Sequence, residues 1–169
     1  YSLVGLAKDS LIAIRDPLGV RPLCVGKMNV GWIVASESCA LDHLDAELVR
    51  EVEPGEAIII DDQGMRVLHR GSERKRATCI FEYIYFARAD SIIGGKLTYS
   101  LRQAMGAELA REHPVDADVV IGVPDSATAA AVGYAQEAGI PYSEGLLKNR
   151  YVGRTFIEPD QRVRDLGVK

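Results

Sequence analysis

The sequence contains no apolar run that approaches the roughly 20 residues a helix needs to cross a bilayer. Its first residues, YSLVGLAKDS, also lack a basic segment followed by a long apolar one, so we expect no secretory signal peptide. Both absences argue against a membrane protein. With 47% apolar and 26% charged residues over 169 positions, the composition is typical of a soluble globular protein with one domain or two small ones.

Cysteine is scarce, and the three cysteines, Cys24, Cys39 and Cys79, have no CxxC spacing. An odd number without that spacing argues against a disulfide framework and favours reduced thiols in a cytoplasmic protein. For Cys24 and Cys39 we expect small buried hydrophobic side chains. The sequence also lacks a Walker motif and a GxGxxG motif, so the generic nucleotide-binding signatures are absent.

The charge of the chain is unevenly distributed. The net charge is −4, yet residues 148–169 hold six basic residues against three acidic ones. An acidic body with a local basic segment suits a small anionic ligand better than a nucleic acid, which would require a broad basic face.

The first seventy residues have the pattern of β-strands. Apolar stretches bounded by turn residues predict strands within 11–26, 30–38 and 55–69. The tetrapeptide Asp16-Pro17-Leu18-Gly19 favours a tight reversal, and residues 61–64 favour a hairpin turn. Residues 37–45 are compatible with a short helix. This part is therefore mainly β.

A polar, charged stretch at 70–78 without apolar periodicity indicates a boundary. We predict a first domain at 1–72, a linker at 73–78 and a second domain at 79–169. In the second domain, residues 97–113 place Leu97, Leu101, Met105 and Leu109 on one stripe of an amphipathic helix.

The segment after that helix predicts a βαβ unit. Residues 116–124 and 140–147 are apolar and strand-like, and the alanine-rich stretch 125–139 between them predicts a helix that ends at Gly139. Such a unit implies a parallel sheet. The turn Pro124-Asp125-Ser126 then lies at the carboxyl end of a strand, where α/β proteins bind ligands, although Asp125 or Ser126 could equally be an ordinary helix N-cap.

Six ordered blocks carry a family resemblance: RDPLGVRPL, VASESCALD, REVEPGEAIII, CIFEYIYFARADS, DVVIGVPDSATAAAVGYA and LLKNRYVGRTFI. Over nearly the whole chain they resemble amidophosphoribosyltransferases, the glutamine phosphoribosylpyrophosphate amidotransferases of purine synthesis. The resemblance implies an α/β (α+β) fold: the C-terminal part of an αββα N-terminal-nucleophile glutaminase sandwich, joined to the start of a parallel-sheet type I phosphoribosyltransferase domain.

The resemblance also implies an enzyme, a pentosyltransferase that converts phosphoribosylpyrophosphate, glutamine and water to 5-phosphoribosylamine, glutamate and pyrophosphate. Mg²⁺ is the implied cofactor, and purine nucleotides are the implied feedback inhibitors. We further expect a cytoplasmic homo-oligomer with no nucleic-acid or membrane partner.

Site residues follow from the matching blocks. The resemblance implies a flexible substrate loop with Lys148, Asn149, Arg150, Tyr151 and Arg154. Its basic side chains would meet phosphate oxygens, and its aromatic residues would exclude solvent; an ordinary solvated loop is the alternative.

Two metal positions are implied by the same comparison. Ser126 matches a hydroxyl of the Mg²⁺ environment, and Cys79 matches the first cysteine ligand of a [4Fe–4S] cluster in one branch of the family. Cluster-free members can also carry cysteine there, so a plain buried thiol remains an alternative for Cys79. The other cluster ligands would lie beyond residue 169.

The family's glutaminase nucleophile is an N-terminal cysteine, whereas this sequence starts with Tyr1. We therefore expect an internal piece of a longer enzyme, with no catalytic residue of its own and no activity alone, in which RDPLGVRPL and Ser-Glu-Ser at 36–38 are scaffold. The alternatives are another N-terminal-nucleophile amidotransferase, of the glucosamine-6-phosphate synthase type, and a non-catalytic phosphoribosyl-binding regulator.

Overall fold

The computed structural model describes residues 1–71 and 76–168. The strands are β1 Ser2–Ala7, β2 Ser10–Arg15, β3 Cys24–Met28, β4 Gly31–Ala35, β5 Glu47–Glu51, β6 Ala57–Asp61, β7 Gly64–His69, β8 Ile92–Ile93 and β9 Lys96–Leu97. The α-helices are α1 Cys39–His43, α2 Thr98–Glu112, α3 Thr128–Ala138 and α4 Gln161–Val168; a π-helical turn spans Glu82–Phe86 and a 3-10 turn spans Thr155–Ile157. No helix in these ranges is long and apolar enough to cross a membrane.

Two antiparallel sheets form the first part, with strand orders β1-β2-β6-β7 and β4-β3-β5. The predicted strands and the short helix at 37–45 are confirmed. The predicted hairpin is confirmed as well, because Asp61 pairs with Gly64 at the tight end of β6 and β7.

The two sheets pack face to face. Ala13, Ile58 and Ile60 of the first sheet share one buried cluster with Val25 and Val52 from the region of the second. Because side chains alternate along β3, its other face points to α1. There Cys24, Leu41 and Ala46 form a second buried cluster, so the layers run sheet, sheet, helix. Cys24 and Cys39 are both buried, as predicted.

The block RDPLGVRPL is a rigid corner of this scaffold. The N–H of Gly19 donates to the carbonyl of Asp16 at 2.9 Å, and the Asp16 carboxylate accepts the N–H groups of Leu18 and Val20. Gly19 has φ +64, a left-handed conformation that glycine adopts at little cost. The buried Arg15 guanidinium donates to three carbonyl groups around the turn. These bonds agree with a structural role for the block.

In the second part, α2 and α3 meet through glycine. A Cβ at Gly106 would lie 1.8 Å from the carbonyl oxygen of Ala130, and one at Gly133 would lie 2.0 Å from that of Gln103. The helices can therefore approach this closely only because neither position carries a side chain. Gly139 ends α3 with φ +68, as predicted.

The predicted helix at 97–113 is correct, but the expected apolar stripe is not its buried face. Thr98, Arg102, Gly106 and Ala110 are buried, because the small residues among them admit α3. Leu97, Leu101, Met105 and Leu109 lie beside that face; Leu109 is 50% exposed, and with Met105 it lines an apolar groove of about 530 Å³.

The predicted strands at 116–124 and 140–147 are wrong as regular elements. They are reduced to one parallel bridge between Val120 and Tyr142, with hydrogen bonds from Val120 N–H to Pro141 and from Ser143 N–H to Val120. The parallel βαβ connection is retained around α3. A parallel sheet is stable when both faces are covered, and here Val119, Ile121 and Val123 remain exposed.

Of the predicted linker, residues 73–75 lie outside the described residues. Beyond them the chain is hydrogen-bonded to the RDPLGVRPL corner, since the N–H of Ala77 donates to Leu18 and that of Cys79 donates to Val20. The domain limits themselves stay a prediction.

The predicted substrate loop at 148–154 is followed by the 3-10 turn and α4, which contact each other near Thr155 and Gly167. The residues of α4 are nevertheless largely exposed, Leu166 to 66%, because the helix has no core to cover it in the described chain.

We expect Gly106→Ala to lower the free energy of unfolding by about 1–3 kcal/mol, because the new methyl group meets the Ala130 backbone and cannot be moved aside as a flexible side chain could. Gly5→Ala is the matched control, since a Cβ there meets nothing within 4 Å. Urea denaturation measures both variants. Equal stability of the Gly106 variant and the wild type would show that the helices can separate at little cost.

Candidate functional site

A cleft of about 600 Å³ brings together three separate stretches of the second part of the chain. One wall is the segment 85–90 with Arg102 of α2 behind it, a second is the turn 124–126, and the third is formed by Lys148 and Arg154. Of the residues predicted to bind substrate or Mg²⁺, the cleft therefore contains Ser126, Lys148 and Arg154.

The turn 124–126 is placed by the single parallel bridge on one side and α3 on the other. The helix begins at Thr128 with Ala127 at its N-cap position, and no side chain caps it. The N-cap interpretation of Asp125 and Ser126 is thus wrong, because the N-cap position is occupied by Ala127, one residue after Ser126 and two after Asp125. Both oxygen-bearing side chains line the cleft instead.

The basic residues of the predicted loop take different positions. The Nζ of Lys148 lies 2.9 Å from a carboxylate oxygen of Asp125, and both side chains are more than half exposed. Arg150 lines a smaller adjoining cleft of about 290 Å³, which Lys148 and Asp125 also line. The Lys148–Asp125 pair thus lies between the two clefts and lines both of them.

Two residues of the predicted loop, Asn149 and Tyr151, line neither of the two clefts. The side chain of Asn149 accepts the backbone N–H of Tyr151 at 2.9 Å and so shapes the loop, while Tyr151 is fully exposed. Asn149 has a local structural contact, and the solvent-excluding role expected for Tyr151 stays a prediction.

Sequence reasoning did not single out Arg88 and Asp90, which line the cleft as a pair. The guanidinium of Arg88 donates to both Asp90 oxygens, at 3.0 and 2.7 Å, and this hydrogen bonding holds the pKa of Asp90 below its ordinary value. The available signal was the spacing of opposite charges in FARADS, residues 86–91.

Arg102 was also missed, because its place in the helical pattern suggested a solvent-facing side chain. It is buried, and its guanidinium donates to the carbonyls of Tyr83 at 2.6 Å and Ala87 at 2.8 Å. Burial lowers the pKa of Arg102. It ties α2 to the π-helical turn, which supplies Tyr85 and Phe86 to the cleft.

The residues predicted to bind metal ions lie in different surroundings. Among the described residues there is no group of three or more His, Cys, Asp or Glu side chains that could hold a metal ion. Cys79 is half-buried and lies outside the cleft. Cys24 donates its thiol proton to Ala35, and burial raises its pKa to about 12. Burial also raises the pKa of Cys39. Cys24 and Cys39 are therefore held as protonated core thiols.

We expect native Cys24 to resist iodoacetamide at pH 8. With a pKa of about 12, only about one thiol in ten thousand is ionised at that pH, and the sulfur is also buried. Peptide mass spectrometry after timed labelling measures the modification, with the half-buried Cys79 as the internal reference and the urea-unfolded protein as the control. Labelling of Cys24 at the rate of Cys79 would contradict this assignment.

No protein-family model matches the chain. Among curated proteins it is 54% identical to the amidophosphoribosyltransferase of Archaeoglobus fulgidus and 52% identical to that of Mycobacterium tuberculosis, in each case over the whole chain. It covers 37% and 32% of those two proteins, so it spans about a third of the length of the curated relatives it matches.

Two solved structures match the whole chain at 50% identity with a TM-score of 0.87. One is described as the allosteric regulatory enzyme of purine biosynthesis, and the other is the glutamine phosphoribosylpyrophosphate amidotransferase of B. subtilis complexed with ADP and GMP. The chain covers 36% and 37% of them. These matches confirm the family resemblance and a mixed α/β fold.

Proposed function

We infer that the chain is a segment of the amidophosphoribosyltransferase family, and we propose that the protein containing it makes 5-phosphoribosylamine from phosphoribosylpyrophosphate and glutamine, releasing glutamate and pyrophosphate. The names of the relatives that match this chain over all its residues support this function over that of the glucosamine-6-phosphate synthase type and over a non-catalytic regulator. The observation that carries the proposal is the convergence of Ser126, Lys148 and Arg154 on one cleft.

The charges of the cleft suit an anionic substrate with several phosphate oxygens. The cleft is lined by three cationic side chains, Arg88, Lys148 and Arg154, and by two carboxylates, Asp90 and Asp125. Two of the cations are paired with these carboxylates, and such exposed ion pairs are weak. A pyrophosphate group carries more charge and more acceptor oxygens than a carboxylate, so it can replace the carboxylates.

Lys148 would be the first cation to exchange its carboxylate partner for a phosphate. Its ammonium is paired with Asp125, at the base of the segment that carries Arg154. When a phosphate replaces Asp125 as the partner of Lys148, this segment closes toward the substrate and brings Arg154 into contact with it. Closure keeps water from the ribosyl C1, which becomes oxocarbenium-like as pyrophosphate departs and which ammonia, not water, must attack.

The oxygen donors at the turn fit Mg²⁺ in part. The ion binds proteins through one or two carboxylates and completes its shell with substrate phosphates and water, so a full protein cage is not required. Ser126 and the Asp125 carboxylate, once Lys148 has released it, would hold the ion. When bound, Mg²⁺ neutralises the charge on the leaving pyrophosphate.

The described residues do not fit a complete [4Fe–4S] site. Such a cluster takes four cysteine thiolates, whereas Cys24 and Cys39 are protonated core thiols and only Cys79 is left. A cluster would need ligands from outside this chain. Cys79 as its first ligand stays a prediction, decided by the iron and sulfide content of the full-length protein.

The finer organisation belongs to the same proposal. The sheet, sheet, helix layers correspond to the back of an αββα glutaminase sandwich in residues 1–72, and the α2, bridge and α3 region corresponds to the start of a type I phosphoribosyltransferase domain in 79–169. The ADP and GMP of the B. subtilis relative support purine nucleotides as feedback inhibitors. We also propose a cytoplasmic homo-oligomer.

A coupled assay on the full-length protein tests the function. We expect pyrophosphate and glutamate to be released together when phosphoribosylpyrophosphate, glutamine and Mg²⁺ are all present, because hydrolysis supplies the ammonia for transfer. Omission of each component in turn is the control. Glutamine hydrolysis that ignores phosphoribosylpyrophosphate, with no pyrophosphate released, would refute the proposal.

We expect Arg154→Ala to lower kcat/KM for phosphoribosylpyrophosphate by about 10- to 150-fold, which corresponds to the loss of about 1.5–3 kcal/mol from one charged hydrogen bond. Hydrolysis of glutamine without phosphoribosylpyrophosphate should be unchanged. Lys96→Ala removes an exposed cation that does not line the cleft and should behave as wild type.

Limited proteolysis of the same proteins reports the closure. Phosphoribosylpyrophosphate should protect residues 148–157 of the wild type and of Lys96→Ala more than those of Arg154→Ala. Unchanged kinetics together with unchanged protection in Arg154→Ala would exclude a substrate-closing role for this segment.

A further inference from the structure

The wall of the cleft formed by segment 85–90 is hydrogen-bonded to the first part of the chain. One carboxylate oxygen of Glu37, just after β4, accepts the backbone N–H of Arg88 at 2.8 Å and the hydroxyl of Ser91 at 2.7 Å. Its neighbour Ser38 accepts the N–H of Ile92 at 2.8 Å through its own hydroxyl oxygen. We call these three bonds the Glu37 contact.

The contact is half-buried, and the wall it holds faces solvent. Ser38 is 3% and Ser91 0% exposed, whereas the bond from the Arg88 N–H is exposed and the side chains of Arg88 and Asp90 are more than half exposed in the cleft. Removing the Glu37 acceptor releases the Arg88 N–H and leaves the Ser91 hydroxyl at a place that water reaches poorly, so the turn must move to satisfy that hydroxyl.

The other hydrogen bonds of the wall are accepted by its carbonyl groups. Thr98 donates its N–H and its hydroxyl to the carbonyl of Ser91, and Arg102 donates to that of Ala87. The N–H of Tyr99 donates to Ala89 at 2.8 Å, and within the turn the N–H of Ser91 donates to Arg88 at 3.1 Å. Of the N–H groups in the turn, that of Arg88 is held by Glu37, and Arg88 is the residue that presents the guanidinium.

We propose that Glu37 is a positioning residue of the cleft: its carboxylate fixes the 88–91 turn so that Arg88 and Asp90 stand where the anionic substrate binds. This deepens the function proposed above and rests on it. It also replaces the expectation that Ser-Glu-Ser at 36–38 is scaffold alone, since the two side chains of Glu37 and Ser38 reach across to the other part of the chain.

A charge effect and a positioning effect predict opposite results. Glu37 is an anion near a site for anions, so by charge alone both Glu37→Gln and Glu37→Ala would tighten binding of phosphoribosylpyrophosphate. If Glu37 acts by position, Glu37→Ala weakens binding, because both wall donors lose their acceptor. Glu37→Gln retains an oxygen that can accept the same two bonds, so it should restore most of the affinity.

The experiment uses the full-length protein, with calorimetric Kd for phosphoribosylpyrophosphate and steady-state pyrophosphate release. We expect Glu37→Ala to raise Kd and KM about tenfold with kcat within about twofold of wild type, and Glu37→Gln to stay within about threefold in all three. Val34→Ala, which truncates a side chain packed against the buried cluster between the two sheets, controls for general destabilisation: it should lower the unfolding temperature and leave Kd unchanged.

Unchanged or tighter binding by Glu37→Ala overturns the positioning role, as does an equal rise in Kd for Val34→Ala. The failure of the proposed function is a different result. A wild-type protein that binds phosphoribosylpyrophosphate but releases no pyrophosphate refutes the reaction, and the Kd values of the two Glu37 variants still decide the role of Glu37.

Discussion

The architecture of the cleft depends on how one segment, residues 82–92, is held between the two parts of the chain. The buried guanidinium of Arg102 donates to its carbonyl groups from α2, and the Glu37 carboxylate accepts from it on the other side. A buried arginine is tolerated when its donors are satisfied, and here they are satisfied by carbonyl groups at the end of a π-helical turn. The wall is therefore rigid in backbone and exposed in side chain.

Opposite the wall, the basic segment has few constraints. Lys148 is tied to Asp125 by an exposed ion pair, Tyr151 is fully exposed, and α4 covers little apolar surface. Such a segment costs little free energy to displace. A cleft with one fixed wall and one weakly held wall can bind a charged ligand and then exclude water from it, which is what the proposed transfer to ammonia requires.

Close backbone approach connects these parts. Gly106 and Gly133 allow α2 and α3 to pack at a distance that positions Arg102 and the turn 124–126 on the same cleft. The cost is an apolar groove beside Met105 and Leu109, which stays exposed because the helix buries its small residues rather than its large ones.

Sequence alone determined many local elements: the strands within 11–26, 30–38 and 55–69, the hairpin at Asp61–Gly64, α2 and the end of α3 at Gly139, because turn chemistry and apolar periodicity act over a few residues. The resemblance in six blocks also named three residues that meet in the cleft. Tertiary structure decided which face of α2 is buried, that Asp125 and Ser126 line a cleft instead of capping a helix, and that Glu37 supports Arg88 across a sequence separation of 51 residues. None of these follows from periodicity, because each depends on which backbone groups a distant segment brings within hydrogen-bonding distance, and only the folded chain sets those distances.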